Sequence, residues 1–428
     1  MSQAPPNIKL PKQFLWGVAT SAYQVEGGNH NNWSVWELEN AKALAGAAKY
    51  KMGHIDWWPD IQRLATSPEN YVSGRAIGHY HRYEEDFDLV KKMNLNAFRF
   101  SIEWSRIEPE EGVWDAKEIE HYRQYIAALK RRGIEPMVTL YHWTVPVWFM
   151  KKGAFARSSN VKYFVRFADK ILQELGQNIR YVTTVNEPDT VSTMGYYTQE
   201  HPPGEHSWFK MIWVYRNHLK AHKLVYAIAK ARSRRFKVGF VKSYAHVEAE
   251  NGKWLSGIMV ALYRFVTDTL VLRYVGRKQD FIGVNYYHTD TFDGLHLHPG
   301  VRYNDHLDVP VSDLGWTLHP ENLELVLKGL KRYKKPIFVM ETGVADRNDR
   351  HRKQWLDGTI RSVINARRAG VDVQGYLHWS MFDNFEWAYG RWPCFGLVEI
   401  DYDDGLRRIP RRSAVYYAAF VKKARGMS

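Results

Sequence analysis

Two short stretches of this sequence run into a carboxylate in the same way. In the first, Tyr181, Val182, Thr183, Thr184 and Val185 are aromatic or β-branched, the types that suit a buried pleated surface. The run stops at Asn186, Glu187 and Pro188. Pro188 has no N–H for a sheet ladder, so Asn186 and Glu187 belong where a strand opens into a loop. In the second, Pro336-Ile337-Phe338-Val339-Met340 leads to Glu341, then Thr342-Gly343. An isolated glutamate is ordinarily a solvated surface residue. Two at the ends of apolar strands are placed for chemistry. One carboxylic acid to protonate a leaving oxygen, and one carboxylate to capture an oxocarbenium-like centre, is the pairing that cleaves glycosidic bonds.

The elements that must position them alternate along the chain. Short apolar runs predict strands at 14–19, 97–101, 135–141, 181–186, 237–242, 281–286, 337–341 and 373–379. Amphipathic segments between them predict helices near 79–94, 160–176, 206–233, 253–278, 320–334, 352–370 and 412–426. The clearest helix starts at Asp115, with Glu118 at capping-box spacing, carries Ile119, Tyr122, Ile126 and Leu129 on one face, and stops near Gly133. Eight strand–helix units predict an α/β chain folded as a (β/α)8 TIM barrel, a single catalytic domain over 1–428. A minimal barrel needs about 250 residues, so the surplus lies in extended βα loops, the largest at about 20–78. Chemistry in a barrel gathers at the C-terminal ends of the strands. Those ends carry Arg99, His142, Asn186 with Glu187, Asn285 with Tyr287, Glu341 and Trp379.

Composition narrows the classes. The 428 residues are 45% hydrophobic, ample for one large core. A net charge of +14 raises the question of nucleic acid. The excess is spread over segments read as helical, such as Lys230 to Lys237 and Arg407 to Arg412, and no nucleic-acid motif accompanies it, so no nucleic-acid partner is expected. Mean hydropathy is −0.47, and no run reads as approaching the apolar length of a membrane span, so no membrane partner is expected. Met1-Ser2-Gln3-Ala4-Pro5-Pro6 lacks a signal pattern, and a cytoplasmic location is expected. Asn32-Trp33-Ser34, a glycosylation acceptor by pattern, is discounted on that ground. The single cysteine, Cys394, excludes an internal disulfide and a cysteine metal cluster. His79-Tyr80-His81 reads as a helix start, and Gly27-Gly28, with no Lys-Ser/Thr after it, as a turn. No metal and no cofactor are expected.

With these residues in place, nearly the whole chain resembles glycoside hydrolase family 1, the retaining β-glucosidase family. The segments from Phe14 to Gly27, Arg99 to Ile107, Thr184 to Pro188 and Trp379 to Trp387 resemble, in order, its opening strand and loop, second strand, acid/base motif and sugar-binding signature. The resemblance implies that Glu187 is the general acid/base and Glu341 the nucleophile. It implies that Gln24, His142, Asn186 and Glu386 hydrogen-bond the sugar, that Trp379 forms its floor and that Trp387 binds its hydroxyl face. Arg99 and Tyr287 would contact the nucleophile, Asn285 would join the substrate site, and Trp316 is similar to an aglycone-side tryptophan. Physical chemistry supports the division. Arg99 beside Glu341 favours its ionised form, and the charge of Glu341 raises the pKa of Glu187.

Four positions depart from the usual pattern: Met340, Thr342, Thr144 and Cys394. None is a catalytic carboxylate. The expected substrate is a small β-glycoside or oligosaccharide, unphosphorylated, with glucosides and galactosides both accepted. Glu386 is the reason, because a carboxylate takes two sugar hydroxyl donors and repels a phosphate. The carboxyl groups of Glu187 and Glu341 are expected about 5–5.5 Å apart, the retaining spacing. Two other readings stay open: a silent sugar-binding barrel, and a transglycosidase that hands the same intermediate to an alcohol. The oligomeric state is not given by the sequence.

Overall fold

The computed structural model describes residues 10–55, 57–250, 252–300 and 309–427. Eight parallel strands, Leu15–Ala19, Ala97–Ser101, Glu135–Thr139, Tyr181–Asn186, Lys237–Ser243, Ile282–Tyr286, Ile337–Thr342 and Val373–Trp379, follow one another around a closed barrel. The eighth pairs back onto the first through Leu15↔Gly375 to Ala19↔Trp379. This is the (β/α)8 barrel that the alternation predicts. One layer of side chains, among them Leu15, Ala97, Met137, Val241, Phe338 and Met340, fills the barrel interior. The alternate residues, such as Val138, Val182, Val284 and Val339, pack outward on the helices in the main core.

The helix Ala116–Arg131 shows how local chemistry sets the outer layer. Asp115 accepts from the backbone N–H groups of Lys117 and Glu118 at 2.8 and 3.2 Å, and Gly133 turns the chain with φ +72°. The expected capping box is only half made. Glu118 instead accepts from the Tyr80 hydroxyl at 3.0 Å, because the helix His79–Lys92 lies alongside and offers a donor. The long loop after the first strand folds into its own helices, Ala22–Val25, Asn32–Met52 and Trp58–Ala65. Asn32 sits buried in it, accepting from Val145 N–H at 2.7 Å, so the glycosylation pattern there is closed off.

Two expectations need correction. Arg407 to Arg412 is not helical: Arg407–Pro410 is a strand antiparallel to Val398–Asp401, and the helix begins at Arg412; of Lys230 to Lys237 only the part up to Arg232 is helical, and Lys237 opens a strand. Pro410 lacks the N–H that a helix interior needs. The expectation that no segment reaches membrane-span length also fails. Trp254–Val275 is a 22-residue helix, long and apolar enough to cross a membrane by length and composition alone. Arg264, Thr267, Asp268 and Thr269 interrupt the apolar run and hide it from a reading of consecutive residues. The stretch Met1 to Pro6 lies outside the described residues.

Gly343 follows the seventh strand and packs against the end of the eighth. A Cβ at Gly343 would lie 1.7 Å from the Trp379 carbonyl oxygen, a backbone atom that cannot swing away. Gly343→Ala is therefore expected to cost about 1–3 kcal/mol in thermal or urea unfolding. Gly46→Ala, in the helix Asn32–Met52 with open space around it, should be neutral or stabilising by up to about 1 kcal/mol. Equal effects of the two substitutions would contradict this packing.

Candidate active site

The two glutamates are aimed into the barrel by irregularities in their own strands. In a strand, side chains alternate between faces. Along the seventh strand Phe338 points into the barrel, Val339 outward and Met340 inward. Strict alternation would send Glu341 outward. The register with the sixth strand shifts between Val339 and Glu341, and Glu341 also faces inward, onto Arg99 and Tyr287. Thr342 then takes the outward place, accepting from Trp355 Nε1 at 3.1 Å. The fourth strand slips likewise between Thr183 and Asn186. Thr184 and Val185 both face the helices, and Asn186 turns in to Arg99. Glu187 follows with φ +43°, a left-handed backbone that costs a non-glycine residue about 1–3 kcal/mol.

Arg99 is fully buried and ties the site together. It ion-pairs with Glu341, donates to Asn186 Oδ1 at 2.7 Å, and is held by its Nε–H bond to Thr139 Oγ1 at 3.0 Å. Tyr287 donates its hydroxyl to the other oxygen of Glu341 at 2.7 Å. Asn285 donates to Glu187 at 2.6 Å and to Asn186 Oδ1 at 3.3 Å. An Arg99–Asn186–Asn285 chain thus links the two carboxyl groups. Asn285 Oδ1 and His142 Nδ1 are buried with no hydrogen-bond partner in the protein.

Both glutamates line a cavity of about 170 Å³ with His142, Tyr287, Trp316, Trp379, Glu386 and Trp387. Gln24, Asn186, Asn285 and Arg99 are fully buried and lie outside the lining, as a layer behind it. Gln24 Nε2 reaches Glu386 at 3.2 Å, Asn384 Oδ1 at 3.1 Å and the Phe385 carbonyl at 2.8 Å, while its Oε1 accepts from Ser21. The loop carrying Glu386 is clamped by Asp383. Its carboxylate receives both ends of the Arg411 guanidinium, at 2.9 and 2.7 Å, and the Gly396 N–H. His142 stacks on both Trp379 and Trp387, and Trp387 is enclosed by Tyr23, Trp33 and Trp143. Trp316, half-buried, stands at the other wall beside Tyr287 and His288.

The sequence reading missed Trp143, His201 and Phe395, which also line the cavity, and the Arg411 clamp. Trp143 sits next to His142 and was findable. Arg411 is far along the chain, and nothing in its surroundings marks it.

The electrostatics separates the carboxyl groups. Burial pushes Glu187 up to about 8; the charge of Glu341 is the second cause and Asp189 the third. The sequence reading put the neighbouring charge first, and burial outranks it. Asp189 is itself balanced by the buried Lys242, which also pairs with Asp268. Burial, then the charge of Glu341, raises Glu386 to about 8 as well. Around neutral pH Glu386 is therefore mostly protonated, and repulsion between its carboxylate and a phosphate is weaker than the sequence argument supposed. Burial and the nearby Arg99 push His142 far down, so its ring is neutral.

The four departures fall behind the cavity. Met340 is barrel filling, and Thr342 braces the strand on Trp355. Thr144 donates to the buried Glu103 at 2.9 Å. Cys394 is a buried thiol pushed up to about 12 by desolvation. No group of three or more metal-ligating side chains occurs among the described residues.

With this geometry in hand, comparison with known proteins is decisive. The family model described as "Glycosyl hydrolase family 1" matches residues 7–254 and 267–426. The chain belongs to glycosyl hydrolase family 1. It is 29% identical to Beta-glucosidase A of Thermotoga maritima, over 97% of this chain and 98% of that one. It is 30% identical to Beta-glucosidase 4 of Oryza sativa subsp. japonica, over 96% and 95%. Among solved structures, the beta-glycosidase from Pyrococcus horikoshii superposes with a TM-score of 0.84 at 32% identity, covering 98% of this chain and 96% of that one. The Thermotoga maritima enzyme in complex with glucoimidazole gives 0.82 at 26% identity, covering 97% and 99%.

A stability test follows from the raised carboxyl group of Glu187. Its folded pKa of about 8 lies above the ordinary 4.5, so folding takes up a proton between those pH values. Its contribution to stability falls as pH rises from about 4.5 to 8. Glutamine mimics the protonated acid and avoids that loss. Glu187→Gln should match the wild type near pH 4.5 and exceed it by on the order of 2–3 kcal/mol at pH 7, measured by urea unfolding across the pH range. A pH-independent difference would contradict the burial argument.

Proposed function

We propose that this protein is a retaining β-glycosidase that hydrolyses unphosphorylated β-D-glucosides and β-D-galactosides, with 1–428 as one catalytic domain. The observation that carries the proposal is a pair of buried glutamates at one cavity, one paired with Arg99 and the other raised to about 8. The relatives named beta-glucosidase support glucose as a substrate sugar.

Glu341 attacks the anomeric carbon with one carboxylate oxygen. The bond to the leaving oxygen breaks, and that oxygen takes the proton of Glu187. The product is a glycosyl ester on Glu341. Its formation removes the negative charge beside Glu187, and Glu187, having lost its proton, accepts one from water. The water oxygen bonds to the anomeric carbon and Glu341 departs as carboxylate, again facing Arg99 and Tyr287. The substrate binds over Trp379, whose face suits the CH surface of a sugar, and Trp387 meets its hydroxyl face. Glu386 and Gln24 meet its hydroxyl edge. His142 Nδ1 and Asn285 Oδ1 supply polar atoms that the protein leaves unpaired.

The unphosphorylated reading now rests on a different ground. No lysine or arginine lines the cavity among the described residues, so a desolvated phosphate would meet no cation there.

NMR of the first-formed sugar should show the β anomer, and an α product would mean inversion. Glu341→Gly should lose turnover by several orders of magnitude and regain some with azide, as the α-glycosyl azide. Glu187→Ala should slow poor leaving groups far more than good ones, and equal losses would undo its role. For the substrate, kcat/KM for p-nitrophenyl β-glucoside should exceed that for its 6-phosphate. Glu386→Ala should lower the former by about 1–3 kcal/mol of transition-state binding. A preference for the phosphorylated compound would overturn this reading.

A further inference from the structure

The flank of the barrel carries an apolar surface that the proposed reaction does not use. The helix Trp254–Val275 lies on the outside, with only 17% of its most apolar stretch buried. Trp254, Ile258, Leu262, Val266, Leu270 and Tyr274 are all exposed and fall at four-residue steps, Trp254 at 78%. Such steps drift around an α-helix of 3.6 residues per turn. The π-helical stretch Phe265–Leu270 has more residues per turn and offsets part of that drift, so the residues form one stripe. The same helix is pinned on its other side by buried Val271, Leu272 and Val275 and by Asp268, which pairs with buried Lys242. It therefore lies along the protein and does not leave it.

The neighbouring helix Trp208–Arg232 continues the surface. Lys223 sits 4.3 Å from the Tyr274 ring, which places the two helices side by side. Trp208 and Phe209 are 64% and 63% exposed, and Ile212 and Trp213 join them. Each helix follows the C-terminal end of a barrel strand, so each begins at the rim into which the active-site cavity opens. Exposed tryptophan, phenylalanine, leucine and isoleucine gathered this way are rare on a surface that faces only water.

We propose that this face, formed by Trp254–Val275 and the start of Trp208–Arg232, docks on an anionic lipid bilayer surface. Charge selects that occupant. Arg216, Lys223 and Arg273 border the apolar stripe, and the acidic residue in these two helices, Asp268, is turned inward. Basic side chains around an apolar helix face are the pattern of interfacial binding, each strengthening attraction to an anionic surface. The aromatic residues at both ends, Trp254 and Tyr274, suit the headgroup level. A second copy of this chain is disfavoured, because two such faces meeting would bring like-signed rims together on molecules of net charge +14 each. The family match breaks at 255–266, inside this helix, so Ile258, Leu262 and Val266 of the stripe lie outside the residues shared with the family model. The sequence reading expected no membrane partner, and the helix surface argues against that expectation. The proposal does not depend on the substrate assignment above.

The test is flotation of the intact protein with vesicles of phosphatidylglycerol and phosphatidylcholine in equal parts, against phosphatidylcholine alone. The protein should float with the anionic vesicles, with a partition roughly tenfold or more weaker on neutral vesicles, falling as salt rises. Trp254→Ser/Ile258→Ser/Leu262→Ser should abolish flotation and leave hydrolysis of soluble p-nitrophenyl β-glucoside unchanged. If that variant does not fold, Arg216→Glu/Arg273→Glu, which keeps the apolar stripe, should lower anionic partition roughly tenfold or more. No flotation of the wild type, or flotation unaffected by these substitutions, overturns the proposal. So does a wild-type dimer in sedimentation that the Trp254→Ser/Ile258→Ser/Leu262→Ser variant dissolves, since it would assign the face to a second copy.

Discussion

The buried ion pair between Arg99 and Glu341 is the constraint around which this site is built. A guanidinium with no solvent exposure is tolerated only when its donors are met, and removing one partner of such a pair leaves an uncompensated charge. Glu341, Asn186 and Thr139 meet them from three different strands. For Glu341 and Asn186 to do so, the seventh and fourth strands must each break their alternation one step before the barrel ends. The same slips deliver Glu187 to the opposite side of the cavity. Charge is then divided by position. Glu341 faces a cation and a phenol, whereas Glu187 faces an amide donor and a low-dielectric wall that keeps its proton on. Acid and nucleophile differ because their surroundings do.

The barrel was legible because its signals are local. Each strand is a short β-branched or aromatic run closed by a polar residue or proline, and each helix has its own period. The ends agree with the structure to within a residue or two: 97–101, 181–186 and 373–379 coincide. What escaped the sequence depends on neighbours. Met340 reads as one more inward strand residue, and nothing before it announces that Glu341 will point the same way. Glu118 closes on Tyr80 because another helix supplies a hydroxyl. The Asp383–Arg411 clamp is a contact between residues 28 apart. The burial that raises Glu187 and Glu386 is a property of the finished cavity.

The same distinction explains the departures from the family pattern and the outer surface. Met340, Thr342, Thr144 and Cys394 differ in type, yet each has found packing or a hydrogen-bond partner behind the cavity wall. They act on how the strands and loops are held. The apolar helix Trp254–Val275 was hidden for the opposite reason. Thr267, Asp268 and Thr269 interrupt the run in sequence but are half-buried, with Asp268 paired to Lys242, while Trp254, Ile258, Leu262, Val266, Leu270 and Tyr274 stay exposed.

The account stands on burial outweighing charge at Glu187. Titration of Glu187 by carbon-13 NMR of labelled glutamate, in the wild type and in Glu341→Gln, tests this directly. The account predicts an apparent pKa near 8 in the wild type. In Glu341→Gln it should fall, since one cause is gone, but stay clearly above the ordinary value of 4.5 because desolvation remains. A wild-type value near 4.5, or a return to it in Glu341→Gln, would contradict the account.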